Sequence, residues 1–358
     1  MFSLTHVNGN VWKHKVIYSF KGEPDGANPS AGVIIDPATG ALFGTTGSGG
    51  TNNANCSGCG TVFQLTPNAA KTLWTEKVLY RFKGGANDGA LPQARLLLNN
   101  KGVLFGTTSS GGTKNFGTVF SLTPSNTIYT EAIIHKFTGG PDGGVVPNAG
   151  LIFDTVAGAL LGTASRGGTT TGQCSQDGRG CGTVFRLRNT AMGWGIQTIY
   201  QFKATKDGME PSGPLAFIGT DLYGSTRLGG LHGQGSAFKL TPGNAAHTVW
   251  SENLIYSFKA GTDGKGPMGV TAHTNGHLFG LTEGGGNAGG AVFGGTLFEL
   301  TPPSTGALWT ETVRHRFTGG ADGADSQGTL LLNGGVFYGT GNDGGDASSS
   351  GSFFKYIP

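Results

Sequence analysis

Two groups of residues in this 358-residue chain could do chemistry: charged side chains that interrupt a neutral, glycine-rich loop pattern, and four cysteines in two close pairs. The loop follows a recurring string, LFGTT at 42 to 46, and Gly47, Ser48, Ser109 and Ser110 of its first copies give way later to Arg166, Arg227, Glu283 and Asp343. His232 lies in the same loop as Arg227. Arg95 breaks a second pattern, because its register, counted from the Pro that leads a neighbouring segment, otherwise holds Gly32, Gly150, Pro214, Val270 and Gly328. Arginine forks, carboxylates and the backbone amides of glycine-rich loops can hydrogen-bond sugar hydroxyls or hold a uronate carboxylate. Catalysis on a polysaccharide would use the same types. In a lyase, Arg95, Arg166 or Arg227 would neutralise the uronate and His232 would take the proton α to it. In a glycoside hydrolase, Glu283 and Asp343 would be acid and base, which requires carboxyls roughly 5 to 9.5 Å apart. A purely structural or adhesive surface protein would need no site.

The cysteines fall in CSGC (Cys56, Cys59) and CSQDGRGC (Cys174, Cys181), in equivalent loops of two repeats. Such short spacings within hairpin loops favour Cys56 with Cys59 and Cys174 with Cys181. Zinc is the alternative for the CxxC pair, but the other pair lacks metal-site spacing, and a thioredoxin-like role would need a βαβ setting. Local disulfides imply an oxidising compartment, outside the cell or at its surface.

The elements that must position these residues come in six copies. LFGTT returns as LFGTT at 104, LLGTA at 160, LYGST at 222, LFGLT at 278 and FYGTG at 337, each followed by a Gly pair. Next comes GTVFQLTP at 60 to 67 and its relatives, and then VIYSF at 16 to 20, VLYRF at 78 to 82 and four more, each leading to an Asp-Gly step. A period near 60 residues decides the fold before any local reading does. Four short β-branched and aromatic runs per repeat, separated by Gly, Pro, Asn and Asp, predict strands A (AGVIID, 31 to 36), B (LFGTT), C (TVFQLT) and D (WTEKVLYRF, 74 to 82), with no helix between them. Runs such as LLL and LIF are apolar on successive residues, so both sheet faces should be covered. Sheets stacked radially meet that demand, which predicts an all-β fold, a six-bladed β-propeller of four-stranded antiparallel blades occupying 1–358 as one domain. The chain starts with a strand D (11 to 20) and stops after a strand C, predicting a 3+1 closure in which 11–20 completes the blade of 325–358. The leftover FSLT at 2 to 5 looks like a strand C without a repeat of its own.

All five Trp (Trp12, Trp74, Trp194, Trp250, Trp309) lie six residues before the Tyr or His of strand D, with Tyr129 in the remaining copy. One recurring slot argues for packing between blades rather than a ligand platform. The Asp-Gly steps, Asp25, Asp88, Asp142, Asp207, Asp263 and Asp322, could ring a channel mouth and hold a structural cation. The simpler reading is a turn in which Asp bonds its own backbone, and no other metal or cofactor is expected. His135 and His315 take the place of the strand D Tyr, and His273 and His277 flank the A-to-B turn of the fifth repeat without a third ligand nearby.

Composition limits the remaining classes. With 68 Gly, 24 basic and 21 acidic residues, the chain has neither a Gly-X-Y period nor a basic block, so collagen and nucleic-acid partners are not expected. No window approaches the roughly 20 apolar residues that span a bilayer, and the N-terminus lacks the apolar core of a signal peptide.

GTTxxGG followed by GTVFxLTP, with FxxGxDGxxP between repeats, resembles the GloVer tandem-repeat family of secreted or surface-anchored bacterial proteins, over nearly the whole chain. The resemblance implies an extracellular or cell-surface location and an architecture, and carries no general activity. The order of strands also resembles kelch propellers, which would put A innermost, D outermost, and the D-to-A and B-to-C loops on one face. The expectation that follows is a monomeric, secreted propeller that binds a polysaccharide or other glycan through the face bearing Arg95, Arg166, Arg227, His232, Glu283 and Asp343, with an enzyme on that face as the alternative.

Overall fold

Each run expected as a strand contains one in the computed structural model, though the run at 11 to 20 ends its strand at Val16; the structure describes residues 1–358 apart from 10, 127, 141–142, 176–178, 287–293, 307 and 346–350. Two compact units make up the chain, Met1–Thr138 and Gly139–Pro358. In the first, blade 1 has strands A Ile34–Ile35, B Leu42–Thr46, C Thr61–Pro67 and D Trp74–Arg81. Blade 2 has A Leu97–Leu98, B Leu104–Thr108, C Thr118–Ser125 and D Ile128–Lys136. In the second unit, blade 3 has A Ile152–Asp154, B Ala159–Ala164, C Thr183–Thr190 and D Gly193–Gln201. Blade 4 has A Met209–Ile218, B Asp221–Leu228, C Ser236–Pro242 and D Trp250–Ser257, and blade 5 has A Gly264–Ala272, B Leu278–Gly285, C Thr296–Thr301 and D Thr310–Arg316. Blade 6 has A Leu331–Asn333, B Val336–Gly341 and C Ser352–Tyr356. All pairings in these sheets are antiparallel in the order A-B-C-D, and the fold class is all-β, a six-bladed β-propeller.

The repeated residues are explained by packing. The Gly of each LFGTT-type strand seats the Phe of strand C: a Cβ on Gly224 would stand 2.4 Å from Cζ of Phe238, and one on Gly106 2.5 Å from Cζ of Phe120. That Phe then meets, edge-on, the Phe that ends strand D of the preceding blade, at 5.0 Å for Phe82 with Phe120 and 5.1 Å for Phe202 with Phe238. Rings in this arrangement contribute about 0.5 to 1.5 kcal/mol beyond their buried area. The Trp slot packs in the same direction. Trp309 of strand D in blade 5 lies 5.5 Å from the ring of Tyr223 in blade 4, and Tyr129 of blade 2 lies 6.5 Å from Phe43 of blade 1. Within a blade, the last hydroxyl of strand B bonds the first of strand C, as in Thr46 with Thr61 at 2.8 Å and Thr282 with Thr296 at 2.9 Å.

A second lock joins consecutive blades. Gly182, which precedes strand C of blade 3, has φ +100, and a Cβ there would lie 2.3 Å from Cδ of Pro211 in strand A of blade 4. Gly235 repeats this against Pro267 of blade 5 at 2.5 Å, and Gly60 against Pro92 within the first unit at 2.6 Å.

The expected 3+1 closure is not among the pairings. The last sheet has three strands, and Val11–Val16 pairs instead with Phe2–Asn8, from Phe2↔Val16 to Asn8↔Val11. The reason lies in the sequence: FSLT at 2 to 5 is identical to FSLT at 120 to 123. It pairs as strand C does, with Phe2↔Val16 and Leu4↔His14 matching Phe120↔Ile133 and Leu122↔Glu131 of blade 2. A strand C sequence thus occupies the edge that Val11–Val16 offers.

Candidate functional site

Three of the residues singled out in the sequence, Arg166, Arg227 and Glu283, meet in one ladder of ion pairs within the second unit. Arg166 follows strand B of blade 3 in a short ladder where Val145 faces Arg166. Its guanidinium bonds Glu210 at 2.6 Å. Glu210 also faces Arg227 at 3.5 Å, and Arg227 Nε donates to Glu283 Oε2 at 2.8 Å. The charges alternate across blades 3, 4 and 5. Side-chain exposures of 29% for Arg166, 15% for Glu210, 43% for Arg227 and 25% for Glu283 leave every member partly open to a ligand. Burial works to lower the pKa of Arg227, but the bonds and charges of Glu283 and Glu210 outweigh it and raise the guanidinium above its usual value.

Glu210 was not legible as a site residue. It sits at φ 57, in the left-handed region, just before Pro211. The same backbone recurs at the equivalent positions Asn28, Leu91, Val146, Gly266 and Asp325, all with positive φ. Holding a non-glycine residue there costs on the order of 1 kcal/mol or more, and the surrounding contacts must enforce it. They do so through the seam between blades: Glu210 N donates to the Cys181 carbonyl at 2.9 Å, and Leu91 N to the Cys59 carbonyl at 2.8 Å. In blade 5 the position is Gly266, and a Cβ there would lie 2.5 Å from the carboxyl carbon of Glu283. The glycine therefore makes room for the carboxylate that completes the ladder. Counted from the Asp-Gly step, the position is acidic twice, at Glu210 and Asp325.

The other three candidates are not members of the ladder. His232 is exposed on the B-to-C loop of blade 4, and Asp343 is exposed on that of blade 6, where its backbone bridges Ala324. Arg95 lies in the first unit, exposed beside buried Leu96. Its register needs correction. Leu97↔Phe105, Thr271↔Phe279 and Leu331↔Tyr338 are equivalent pairs, so the counterparts of Arg95 in blades 5 and 6 are Gly269 and Thr329, not Val270 and Gly328. Strand A of blade 5 reaches Thr271↔Phe279 one residue sooner after Pro267 than blade 4 reaches Ala216↔Tyr223 after Pro211, because its bulge holds one residue fewer.

The Asp-Gly carboxylates are committed to their own turns and to strand D. Asp207 Oδ2 accepts from Tyr200 Oη at 2.8 Å and from Lys203 N at 3.0 Å, and Asp88 Oδ2 accepts from Tyr80 Oη at 3.0 Å and Lys83 N at 2.7 Å. Tyr18 with Asp25, Tyr256 with Asp263 and His315 with Asp322 repeat the bond at 2.9, 2.9 and 3.1 Å. Asp142 lies outside the described residues. Among those residues, no group of three or more His, Cys, Asp or Glu is placed to hold a metal ion. The cysteines pair as expected, Cys56 with Cys59 and Cys174 with Cys181, at Cα separations of 5.5 and 5.0 Å. No helix among the described residues is long and apolar enough to cross a membrane.

Two further polar clusters occupy the turns at the other end of the blades. Asp154 in the A-to-B turn of blade 3, 1% exposed, bonds His247 Nδ1 of the C-to-D turn of blade 4 at 2.8 Å. Arg186 Nη1 donates to the His247 carbonyl at 2.6 Å and Nη2 to Gln197 Oε1 at 2.7 Å. His277, which the sequence leaves without a ligand partner, bonds Glu299 at 2.5 Å, and Arg314 holds the other oxygen of that carboxylate. The Glu299 carboxyl is lowered below its usual range, because His277 and Arg314 overcome the effect of burial. In each, the imidazole and the carboxylate bond one another, which fits the pinning of turns rather than a reaction.

A six-bladed propeller with a charged ladder on successive blades defines the class. The sequence profile of the Gloeobacter/Verrucomicrobia repeat matches residues 1–175 and 169–354, and the chain belongs to that family. No curated protein matches it. Among solved structures, it is similar to one described provisionally as a gluconolactonase, with 13% identity and a TM-score of 0.47 over 92% of this chain and 89% of that one. It is also similar to an oxidoreductase of Thermus thermophilus, described provisionally as a glucose dehydrogenase, with 16% identity and a TM-score of 0.43 over 79% of this chain and 84% of that one. Likenesses at that level carry no weight for chemistry here.

Proposed function

We propose that this protein is an extracellular carbohydrate-binding propeller, monomeric in solution, and that the ladder Arg166–Glu210–Arg227–Glu283 is the centre of its binding surface. One observation carries the reading: four alternately charged, partly exposed side chains stand in a row on three successive blades, and three of them, Arg166, Arg227 and Glu283, occupy positions where blades 1 and 2 have only Gly and Ser. Each sugar hydroxyl both donates and accepts, so a row of alternating donors and acceptors suits a hydroxyl-rich chain. Because both arginines are already neutralised, the surface favours a neutral glycan over a polyanion. The two disulfides suit an oxidising location outside the cell. His232 and Asp343 of the same unit are candidates for further contacts, and Arg95 of the first unit is a separate candidate for glycan contact.

The enzyme readings draw less support. A lyase needs an arginine available to a uronate carboxylate, and Arg166 and Arg227 are held by Glu210 and Glu283. The test is a polysaccharide panel scored at once for retention, released reducing ends and absorbance of an unsaturated uronate. The proposal expects retention of a neutral glycan, lost in Arg227→Ala, without product. Product with uronate absorbance would replace it with a lyase, reducing ends alone with a hydrolase, and no signal of any kind with a structural protein.

A further inference from the structure

The seams between blades contain a second recurring polar arrangement, on the strand D side. Glu76, Glu131, Glu252 and Glu311 each lie two residues after the Trp or Tyr of the packing slot; Glu131, Glu252 and Glu311 reach toward the Asp-Gly carboxylate of the preceding blade, and Glu76 toward Asp25, which follows Val11–Val16. In the seam between blades 3 and 4, Tyr200 Oη is 2.8 Å from Asp207 Oδ2 and 3.4 Å from Glu252 Oε2. Tyr80 likewise bonds both Asp88 and Glu131. A phenol has one proton to donate, so two carboxylates that converge on it cannot both be satisfied while both are ionised. The Oε1 atom of all four glutamates is, moreover, buried with no hydrogen-bond partner among the described residues. A carboxylate left in that state is expensive, and a carboxylic acid, with a proton of its own to donate, is not.

We propose that these four glutamates are a pH-sensitive latch: protonated, they bridge adjacent strand D segments, between blades for Glu131, Glu252 and Glu311 and to the N-terminal segment for Glu76, and ionised, they loosen the seams. Burial first, and the adjacent Asp second, push each of the four carboxyls up to about 7. The facing cations are too few to reverse this. They are Lys203 for Glu252 and Arg81 for Glu76, with Lys83 and Lys136 for Glu131, and Lys259 and Arg316 for Glu311. A group whose folded value is raised contributes stability that is present in full below its unfolded value near 4.5 and is lost as pH rises through about 7. The fold is therefore tighter in mild acid than in mild base. His135 works in the opposite sense, since burial lowers it to about 4, and it acts only up to its unfolded value near 6.5.

The test compares wild type with Glu76→Gln/Glu131→Gln/Glu252→Gln/Glu311→Gln, in which the amide stands in for the neutral acid. His135 is common to both and cancels. Between pH 5 and pH 8 the wild-type unfolding constant should rise at least about tenfold more than that of the variant, after discounting for partial exposure of the groups. Glu252→Gln alone should remove part of the difference, which keeps the test intact if the fourfold variant folds poorly. An infrared carboxylic-acid band in wild type at pH 6 that fades by pH 8 should accompany it. Equal pH profiles for wild type and variants, or no such band at pH 6, would overturn the latch.

Discussion

Gly182→Ala probes the lock between blades 3 and 4 with one methyl group. Gly182 has φ +100, and the new Cβ would stand 2.3 Å from Pro211 Cδ, 2.9 Å from Pro211 Cγ and 2.8 Å from the Ala164 carbonyl oxygen. All are proline ring or backbone atoms, so no flexible side chain can swing away. The disallowed backbone costs about 1 to 3 kcal/mol and the forced overpacking about 1 to 3 more, about 2 to 6 kcal/mol in all. At about 2 to 4 °C per kcal/mol for a unit of this size, the melting temperature should fall by at least about 4 °C. Urea unfolding followed by tryptophan fluorescence would show the midpoint shift, since Trp194 and Trp250 report on these two blades. Gly195→Ala is the control: Gly195 lies in strand D of blade 3 with ordinary φ and no atom within 4 Å of a new Cβ. Its effect should stay within about 0.5 kcal/mol. If both variants unfold at the wild-type midpoint, the Gly–Pro lock between blades does not exist.

Other expectations follow from the same contacts. His247→Ala would strand the buried Asp154 Oδ2 while leaving Arg186 its bond to the backbone carbonyl at 247, so calorimetry should show a loss of about 3 kcal/mol, and a loss below about 1 would mean that water compensates the lost partner. Reduction of Cys174–Cys181 releases a short loop and should lower stability by about 2 kcal/mol without unfolding the protein, as read by melting with and without reductant. Arg227→Ala should cost the fold less than about 1 kcal/mol, because its two contacts are partly exposed, and a larger loss would assign the ladder to stability rather than to binding.

What the sequence revealed and what it hid follow from the kind of constraint at each residue. The strands and the six-fold order were legible because the same seats recur: the Gly beneath Phe238 and the Asp that holds Tyr200 are fixed by backbone packing and are spelled alike in most blades. Arg166, Arg227 and Glu283 were legible as exceptions to that spelling, and they do meet. Glu210 was hidden because its position accepts Asn28, Leu91, Val146, Gly266 and Asp325, and because its positive φ leaves no mark on residue type. The slip at Val270 came from a bulge that holds one residue fewer in blade 5 than in blade 4, a difference that leaves the pattern on either side unchanged. His247 and Asp154, 93 residues apart, share no motif and meet only through the packing of two blades.

The most direct test of the central claim is retention of wild type, Arg227→Ala and Glu210→Gln on a panel of immobilised neutral and uronate-containing polysaccharides at fixed salt. The ladder account predicts that wild type is retained on a neutral glycan and that both variants, folded by circular dichroism, elute unretained. Retention of the variants equal to that of wild type, or retention of wild type on the uronate polymers alone, would contradict it.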